Sequence, residues 1–381
     1  MPWNPVDTMT LRQEFVVQAL QGTLPVAELC RRFSISRQTG YKWLRRHAQD
    51  GAEGLQDRSR RPRHSPAMTG EDMTREVLLL REEHPAWGGR KISRRLLDLG
   101  FSEAPSPASV TRILHRHVLI SPEASALSLP WQRFEHDMPN ALWQMDFKGW
   151  FQTLREGRCN PLTVLDDHSR YNIVLQACGP TDTQTVQECL LQAFRQYGLP
   201  LRINTDNGAP WGSPSRAGQL SALAVWLIRH GIRISYSQPY HPQTNGKDER
   251  FHRTLKAEVL NGRSFATQQD VQRALDSWRR VYNLERPHEA LGMATPSTRY
   301  QPSPRSLPAV LAEPEYGPTD RVVRVGWNGE VRLDDLRLKV SSALHGLPVG
   351  VRFRADEDGV FDLWFAHHKV ATIDLRNPSR E

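Results

Sequence analysis

Apolar and polar positions change their spacing twice along the chain, and these changes divide it into three zones. Up to about residue 118, apolar residues recur every three or four positions, which is typical of short amphipathic helices. From about residue 140, alternating segments that predict strands are interleaved with helical segments. From residue 320 on, the pattern predicts strands alone. The sequence therefore indicates three different folds joined in one chain.

The first zone begins with a pair of short helices separated by a tight turn. Residues 26–33 predict an amphipathic helix, and Ser36 is a good N-cap for a second helix over 37–47. Tyr41 and Leu44 are predicted to face inward. The outward side of the second helix is then polar and basic, with Arg37, Gln38, Lys42, Arg45 and Arg46.

A second pair of helices repeats this plan. One helix spans 91–97, and Ser106 followed by Pro107 begins another over 108–117. The last helix has an apolar stripe, whereas Arg112, His115 and Arg116 remain outside. Two helices, a short turn and a basic second helix form the plan of a helix-turn-helix, which inserts its second helix into the major groove of DNA. A helical bundle with a solvated basic face is the alternative explanation.

The central zone predicts a mixed α/β domain of about 150 residues, a size that suits one compact unit. The predicted strands are 141–151, 162–165, 171–176, 202–205 and 232–236, and the predicted helices are 181–197, 220–230, 247–260 and 270–282.

The last zone predicts a small β-barrel of about 55 residues. Asn328-Gly329 and Asp358-Gly359 are strong hairpin signals, each set between strand-like segments. Five prolines between residues 301 and 318 predict a linker before it. The expected organisation is two helix-turn-helix modules (1–50 and 68–120), a basic linker (51–67), a second linker (121–139), the α/β core (140–300), the proline-rich linker (301–318) and the barrel (319–381).

The composition shows an excess of basic over acidic residues, and its cysteines give no sign of a disulfide framework or a zinc site. The formal net charge is +8 and the sequence pI is about 9.5, which favours a polyanionic partner. The strongest basic run holds Arg58, Arg60, Arg61 and Arg63, and its charge could follow DNA phosphates. The four cysteines have neither a zinc-finger nor a disulfide spacing. The longest apolar run, Ala222 to Ile228, is far shorter than the ~20 residues that span a bilayer, so we expect a cytoplasmic protein.

Three acidic residues occupy positions in the predicted strands and helices that suit a catalytic or metal-binding role. Asp146 lies within a strand whose alternation places Gln144, Asp146 and Lys148 on one face. Asp206 follows the end of a strand, and Glu249 lies at the start of a helix. Each acid alone has an ordinary structural explanation, such as an ion pair or favourable helix electrostatics. Together they offer the hard oxygen ligands that Mg²⁺ selects, and a pair of such ions supports phosphoryl transfer.

Several other side chains receive a structural interpretation. Asp166, Asp167 and His168 are expected to make local hydrogen bonds in a turn. His241 precedes the Glu249 helix and could approach the site or DNA, although a loop histidine is more often structural. Trp211 and Trp226 are expected to pack in the core.

The motifs around the acids resemble those of bacterial insertion-sequence transposases with the catalytic core of retroviral integrases. The segments concerned are Trp143 to Asp146, Asn204 to Gly208, Tyr240 to Phe251 and, further on, Tyr282-Asn283, Arg286 to Gly292 and Thr295-Pro296. The resemblance covers residues 140–300. It differs from many relatives in the longer spacing between Asp206 and Glu249, which we assign to a larger Trp211–Leu220 loop. It also differs from retroviral integrases in having no His-His-Cys-Cys zinc unit.

This resemblance implies a ribonuclease-H-like core in which Asp146, Asp206 and Glu249 are the catalytic and metal-binding residues. It implies two Mg²⁺ or Mn²⁺ ions, double-stranded DNA partners in the element's terminal inverted repeats and in target DNA, and a homo-oligomer on that DNA. A protein of this family is expected at the bacterial nucleoid, without a membrane partner. Its reaction would hydrolyse a phosphodiester at the element's end and join the 3′-hydroxyl to target DNA.

Two questions stay open from the sequence. Arg253 and Lys256 share a helix face with Glu249, and they either form a salt bridge with it or hold phosphates of the terminal DNA. The family resemblance favours the phosphates. The chain as a whole could also be a domesticated DNA-binding regulator, or a metal-dependent nuclease without strand transfer.

Overall fold

The computed structural model describes residues 7–58, 68–120, 135–212, 220–237, 246–333, 336–354 and 357–376. The chain divides into two compact units, residues 1–68 and 69–381. Three of the predicted phosphate-binding residues, Arg60, Arg61 and Arg63, lie outside the described residues. So do His241 and most of the predicted linker 121–139.

The first unit is a three-helix module built on α1 (Thr8–Gln21), α2 (Val26–Arg32) and α3 (Arg37–Asp50). Ser36 caps α3 as predicted, because its hydroxyl accepts a hydrogen bond from the Thr39 backbone N–H at 3.1 Å. Phe15, Leu29 and Trp43 are buried at the centre of the module.

The inward face of α3 differs from the prediction at one position. Tyr41 is 55% exposed, and Gly40 and Trp43 are buried instead, while Leu44 packs on the core as expected. Gly40 allows the close approach, since a Cβ atom there would lie 2.5 Å from the Cys30 sulfur and 2.9 Å from the Phe15 ring. The helix is therefore rotated so that its smallest residue meets α1 and α2.

The second unit begins with another helical module, which contains α4 (Glu71–Glu83), α5 (Gly89–Asp98) and α6 (Pro107–Arg116). Its core is formed by residues such as Trp87, Ile92 and Leu114, all of which are fully buried. Ser106 caps α6 and Pro107 is its first residue, as predicted. We call this the second helical module.

The central domain is built on one mixed sheet. Its strands are β1 (Trp143–Phe147), β2 (Phe151–Thr153), β3 (Gly157–Asp166), β4 (Asn172–Cys178), β5 (Arg202–Thr205) and β6 (Arg233–Tyr236). The order is β2-β3-β1-β5-β6, with β4 also paired to β3. β1 is antiparallel to β3 and parallel to β5, and β5 is parallel to β6.

Helices cover both faces of this sheet. The helices α7 (Thr183–Tyr197) and α8 (Ala222–Arg229) pack on the face that bears Trp143, Met145 and Val164. On the opposite face, α9 (Gly246–Leu255) and α10 (Gln268–Leu284) cover Leu165 and Leu175. A layered α/β core of this kind agrees with the predicted class.

Strand and helix ends differ from the predictions in two places. The single strand predicted over 141–151 breaks after Phe147, and Gly149 adopts a positive φ of 88° before β2 begins. The helix predicted over 247–260 is α-helical only to Leu255 and ends in a π-helical turn, Lys256–Leu260. In that turn Glu258 accepts a hydrogen bond from Trp278 and forms an ion pair with Arg286.

The helix α8 is apolar on every side because it lies between two hydrophobic cores. Leu223 and Leu227 belong to the core of the central domain. Ala224, Val225 and Ile228 belong to the core of the C-terminal sheets. A helix that is hydrophobic all round is a buried helix, and this explains the apolar run in the sequence.

The C-terminal part consists of a four-stranded and a two-stranded antiparallel sheet. The strands are β7 (Arg321–Arg324), β8 (Glu330–Leu333), β9 (Leu336–Lys339), β10 (Pro348–Phe353), β11 (Val360–Phe365) and β12 (His368–Asp374). The order of the larger sheet is β12-β11-β10-β7, and β8 pairs with β9. Within the described residues these sheets do not close, so the predicted barrel is not confirmed.

One of the two predicted hairpins is wrong. The Asp358-Gly359 turn joins β10 and β11, which pair as predicted. The strands on either side of Asn328-Gly329 do not pair with each other, because β7 pairs with β10 and β8 pairs with β9. The local turn is present, with a hydrogen bond from the Gly329 N–H to the Gly326 carbonyl, but pairing is decided by more distant segments.

Two further segments are fixed to the central domain. The proline-rich segment lies along it, where the Arg305 guanidinium donates to the Gly231 carbonyl at 2.8 Å and the Ser303 N–H donates to the Tyr197 carbonyl. The second helical module contacts the end of α10, where Arg95 pairs with Glu285 and Val281 packs on the module's core. No helix in the described part of the chain is long and apolar enough to cross a membrane.

The contact between α5 and α6 predicts that alanine substitution at two adjacent glycines destabilises the module to very different extents. A Cβ atom on Gly89 would lie 2.2 Å from the Thr111 hydroxyl and 2.5 Å from the Pro107 carbonyl, whereas one on Gly88 would meet nothing within 4 Å. We expect Gly89→Ala to destabilise the second helical module by about 1–3 kcal/mol. Gly88→Ala, the matched control, should cost only about 0.5 kcal/mol. Hydrogen exchange by mass spectrometry over residues 71–116 measures both, and equal protection in the two variants would contradict the packing argument.

Candidate active site and DNA-binding surfaces

The register of the sheet brings two of the three predicted acids together. β1 and β5 run parallel with Trp143 opposite Ile203 and Gln144 opposite Asn204. Continuing that register by two residues sets Asp206 beside Asp146, with neighbouring strands about 4.8 Å apart. Asp146 is half-buried within β1, and Asp206 is exposed just past the end of β5. The Gly208 N–H donates to the Asp206 carboxylate at 3.1 Å and orients it.

The third acid comes from the helix that crosses the same face. Glu249 lies in the first turn of α9, which packs against β1, and its side chain is exposed. Burial raises the pKa of Asp146 to about 7, and the negative charges of Asp206 and Glu249 add to the shift. Burial also raises the pKa of Asp206. The three acids therefore share one region of negative potential.

The chemistry of these three side chains suits a hard divalent cation. Carboxylate oxygens are the ligands that Mg²⁺ prefers, and a cation would relieve the repulsion that adds to the raised pKa of Asp146. Among the described residues, no three acidic, histidine or cysteine side chains already stand in metal-holding positions. Asp206 and Glu249 are exposed, and exposed side chains change rotamer within nanoseconds. The residues therefore fit a metal site that closes around its ion.

A fourth acid in this region is not among the residues predicted for the site. Asp248 is only 1% exposed, and neither of its carboxylate oxygens has a hydrogen-bond partner among the described residues. Burial raises its pKa well above the usual range, and the charges of Asp146 and Asp167 act in the same direction. Its position can be found from spacing, because Phe251 and Leu255 of the apolar stripe follow it at i+3 and i+7 and the three side chains share one helix face.

The turn after β3 makes the local hydrogen bonds that the sequence predicted. Asp166 accepts from the backbone N–H groups of Asn140 at 2.6 Å and Ser169 at 2.8 Å. Asp167 accepts from Gln144 at 2.8 Å and pairs with Lys247, the residue before Asp248. These acids thus attach the start of β1 and the start of α9 to the β3–β4 turn.

The predicted base-reading face of the first module is accessible. Arg37, Gln38, Lys42 and Arg45 are exposed on α3, and Arg46 is half-buried. Trp43 packs beneath three cations, with Arg12, Lys42 and Arg46 lying 4.1, 4.7 and 5.1 Å from its ring centroid. Arg58 is exposed and paired with Asp50, so this part of the basic run already has an acidic partner.

The other predicted DNA contacts are also on the surface. Arg112 and Arg116 are exposed on α6, together with His115. Arg253 and Lys256 are exposed one and two turns beyond Glu249. Within the described residues, neither forms an ion pair with Glu249, so the salt-bridge explanation is not supported. Trp211 is buried against Phe147 and Trp226 stacks on Phe194, as expected for packing residues.

Models of known domain families match most of the chain. An integrase core domain matches residues 136–242, and a second integrase core model matches 230–296. A helix-turn-helix domain matches residues 11–63 and a homeodomain-like domain matches 39–114. The C-terminal domain of IS481 family transposases matches residues 320–381. The central domain is thus an integrase core of the ribonuclease-H-like class, preceded by DNA-binding helix-turn-helix modules.

Three relatives among curated proteins come from bacterial insertion elements. The chain is 28% identical over 250 residues to an uncharacterised 39.2 kDa protein of insertion element IS476 from Xanthomonas euvesicatoria, covering 62% of this chain and 67% of that protein. It is 30% identical to a 31.7 kDa protein of IS407 from Burkholderia multivorans, covering 42% and 54%. It is 26% identical to the transposase of IS904 from Lactococcus lactis, covering 43% and 63%. The chain thus spans about half to two thirds of these relatives' lengths.

Among solved structures, the chain is similar to retroviral integrases. The catalytic core of HTLV-2 integrase in complex with magnesium is 19% identical, with a TM-score of 0.34 and coverage of 43% of this chain and 99% of that one. An intasome of simian T-cell lymphotropic virus is 17% identical, with a TM-score of 0.39 and coverage of 79% and 96%.

The family models and the relatives agree with the motifs around the acids. The chain belongs to the bacterial insertion-sequence transposases that have an integrase-type core. It is therefore an enzyme of the DNA transposase and integrase class.

The burial of Asp248 predicts a pH-dependent loss of stability. A carboxyl group with a raised folded pKa stabilises the fold least when it is ionised, so stability should fall as the pH rises above the unfolded value near 4. We expect Asp248→Asn to raise the free energy of unfolding at pH 8, in chelator, by about 1 kcal/mol or more. The difference should vanish near pH 4. Asp137→Asn, the same change at an exposed site, is the control for denaturant titrations at both pH values. A variant less stable than the parent at pH 8 would contradict this account.

Proposed function

We propose that this transposase binds the ends of a mobile DNA element, hydrolyses a phosphodiester at each end, and joins the freed 3′-hydroxyl to target DNA. The observation that carries the proposal is the environment of Asp146, where burial and then the charges of Asp206 and Glu249 raise the pKa to about 7. Strongly perturbed acids in a cleft are candidates for catalysis. The family assignment indicates the class of substrate.

In this proposal the three acids hold divalent metal ions, with Asp146 between Asp206 and Glu249. When bound, a pair of Mg²⁺ or Mn²⁺ ions would activate the attacking oxygen and stabilise the leaving one. Asp146 must lose its proton before it serves as a ligand, and burial and the other two acids raise the cost of that step. The sheet fixes Asp146, and Asp206 and Glu249, which are exposed, would hold a metal ion together with it.

The proposed chemistry has two steps at one site. In the first, water attacks the phosphorus, the P–O bond to the 3′-oxygen breaks, and the leaving oxygen takes a proton to become a 3′-hydroxyl. In the second, that hydroxyl loses its proton, attacks a phosphodiester of target DNA, and displaces another 3′-oxygen. No covalent bond to the protein forms in either step. Both element ends must be held together, so we also propose an oligomer on the DNA.

End recognition is assigned to the helical modules. The exposed side chains of α3 offer both a planar guanidinium and an amide, which suit guanine and adenine edges in the major groove. In the second helical module, Arg112 and Arg116 are separately exposed on α6 and are assigned to DNA contacts of that module. Arg253 and Lys256 are assigned to phosphates of the terminal DNA, because their helix also carries Glu249.

Substitution of the three acids tests the proposed chemistry directly. We expect Asp146→Asn, Asp206→Asn and Glu249→Gln each to abolish cleavage and joining, because each removes the charge that binds metal while keeping the side-chain size. Melting temperature and end binding should be retained. The substrate is a duplex copied from the inverted repeat that flanks the gene, and Asp137→Asn is the control.

Two further readouts make this test decisive. Chelator should abolish wild-type activity, and Mg²⁺ or Mn²⁺ should restore it. Near-normal activity of any one variant would remove that residue from the metal site. Cut products without joined products would identify a nuclease and not a transposase.

We predict that the side chains of α3 read bases and that the basic linker contacts only phosphates, and DNA-binding measurements can test this difference. In full-length protein, Arg37→Ala, Gln38→Ala and Lys42→Ala should each weaken binding to the element end more than to unrelated duplexes, by about 1–3 kcal/mol for a base-reading pair. Neutralising Arg58, Arg60, Arg61 and Arg63 together should weaken binding to all sequences alike. It should also flatten the log K against log salt plot by up to ~0.9 for each DNA phosphate that these arginines no longer neutralise. A changed sequence preference in the variant that lacks the four linker arginines would refute these separate roles.

A further inference from the structure

Two lysines lie beside the acids without an acidic partner among the described residues. Lys148 follows β1 directly, and its N–H donates to the Pro161 carbonyl at 3.0 Å, which continues the strand pairing. Alternation puts its side chain on the same face as that of Asp146, about 7 Å further along the strand. Lys256 is exposed at the start of the π-helical turn that follows α9. In the described part of the chain, neither ammonium group forms an ion pair with a carboxylate.

A neutral pair of side chains fixes α9 over β1. The Thr163 hydroxyl donates to the Asp146 carbonyl at 2.9 Å and lies 2.8 Å from His252 Nε2. Because the Thr163 proton is already used, His252 donates from Nε2. His252 stands between Glu249 and Lys256 on the helix. At the start of the helix, Lys247 pairs with Asp167, which also accepts a hydrogen bond from Gln144. The helix therefore runs along β1 from Gln144 toward Lys148, with Glu249 before His252 and Lys256 after it.

The electrostatics agree with this alignment. Lys148 on the strand and Lys256 on the helix both lie at the end of this alignment that is away from Gln144. Burial lowers the pKa of His252 to about 4, with the charge of Lys148 as the second cause, so His252 is neutral at physiological pH. Two like charges are thus held together, and an anion between them would relieve the repulsion.

We propose that Lys148 and Lys256 together hold the DNA phosphate next to the one that is attacked at the acids. The inference rests on the proposed function and adds Lys148, a residue on the central sheet, to the DNA-binding surface. Lys148 lies about 7 Å from Asp146 along the strand, and this distance separates the two tasks. The acids act on the reacting phosphodiester, and the lysines position its neighbour. The ligand is a backbone phosphodiester, which either the element's end or target DNA can supply.

The test measures binding in chelator, so that it does not depend on catalysis. Full-length protein is titrated with a short duplex copied from the inverted repeat that flanks the gene, and with an unrelated duplex as the target-like probe. Further copies carry one neutral methylphosphonate, placed at the scissile linkage, at a neighbouring linkage on either side, or at a remote linkage. The variants are Lys148→Ala, Lys148→Arg and Lys256→Ala. The control is Lys369→Ala, which removes an exposed lysine paired with Asp362 in the C-terminal sheet.

We expect Lys148→Ala to weaken binding to the unmodified end duplex about tenfold, and Lys148→Arg to restore most of it. One neighbouring methylphosphonate should weaken wild-type binding equally and have no additional effect on Lys148→Ala or Lys256→Ala. If the same coupling occurs with the unrelated duplex alone, the phosphate belongs to target DNA. Lys369→Ala should behave as wild type throughout.

Additive losses for Lys148→Ala and every methylphosphonate would overturn the inference, because they would mean that no single phosphate contacts this lysine. So would a lower melting temperature with unchanged DNA affinity, which would make Lys148 structural. If wild-type protein fails to cut or join DNA but the coupling persists, the proposed chemistry is wrong and the phosphate site stands.

Discussion

Holding several carboxylates together on one face of a sheet costs free energy, and much of the second unit is arranged around that cost. Asp146 and Asp206 come together through the parallel register of β1 and β5, and α9 adds Glu249 from above. Asp167 is neutralised by Lys247, whereas Asp248 is buried with no hydrogen-bond partner among the described residues. Such a cluster is tolerable only if the surrounding packing is strong enough to hold it. The large aromatic and aliphatic cores on both faces provide that packing.

The acids can be predicted from sequence because each lies at a position with a local signature. Asp146 lies on the polar face of an alternating strand, Asp206 follows a strand end, and Glu249 lies at a helix start. What alternation alone cannot supply is the register between β1 and β5, which depends on residues sixty positions apart. Asp248 is missing from the prediction for a different reason: its spacing of three and seven residues from Phe251 and Leu255 places it on the buried face of α9, but a carboxylate is rarely expected at a fully buried position.

The errors in the helical and C-terminal parts have similar causes. Tyr41 fits an inward stripe by spacing, but Gly40 permits a closer approach of α3 to Phe15 and Cys30, and the helix rotates accordingly. Asn328-Gly329 does form a turn, while the strands on either side find partners elsewhere in the chain. Local signals therefore specified turns, caps and helix starts. Tertiary contacts decided rotation and pairing.

The position of α8 between two cores has a consequence for how the protein is made. On the ribosome, the central domain emerges before the C-terminal sheets that cover Ala224, Val225 and Ile228. Until those sheets fold, the apolar side of α8 that they cover faces water, and exposed surface of this kind makes a partly folded chain prone to aggregate. Synthesis that stops early would thus yield an aggregation-prone, short-lived product and not a free catalytic domain. Because α8 belongs to both cores, the central domain is protected from aggregation only after the C-terminal sheets have been synthesised and have folded.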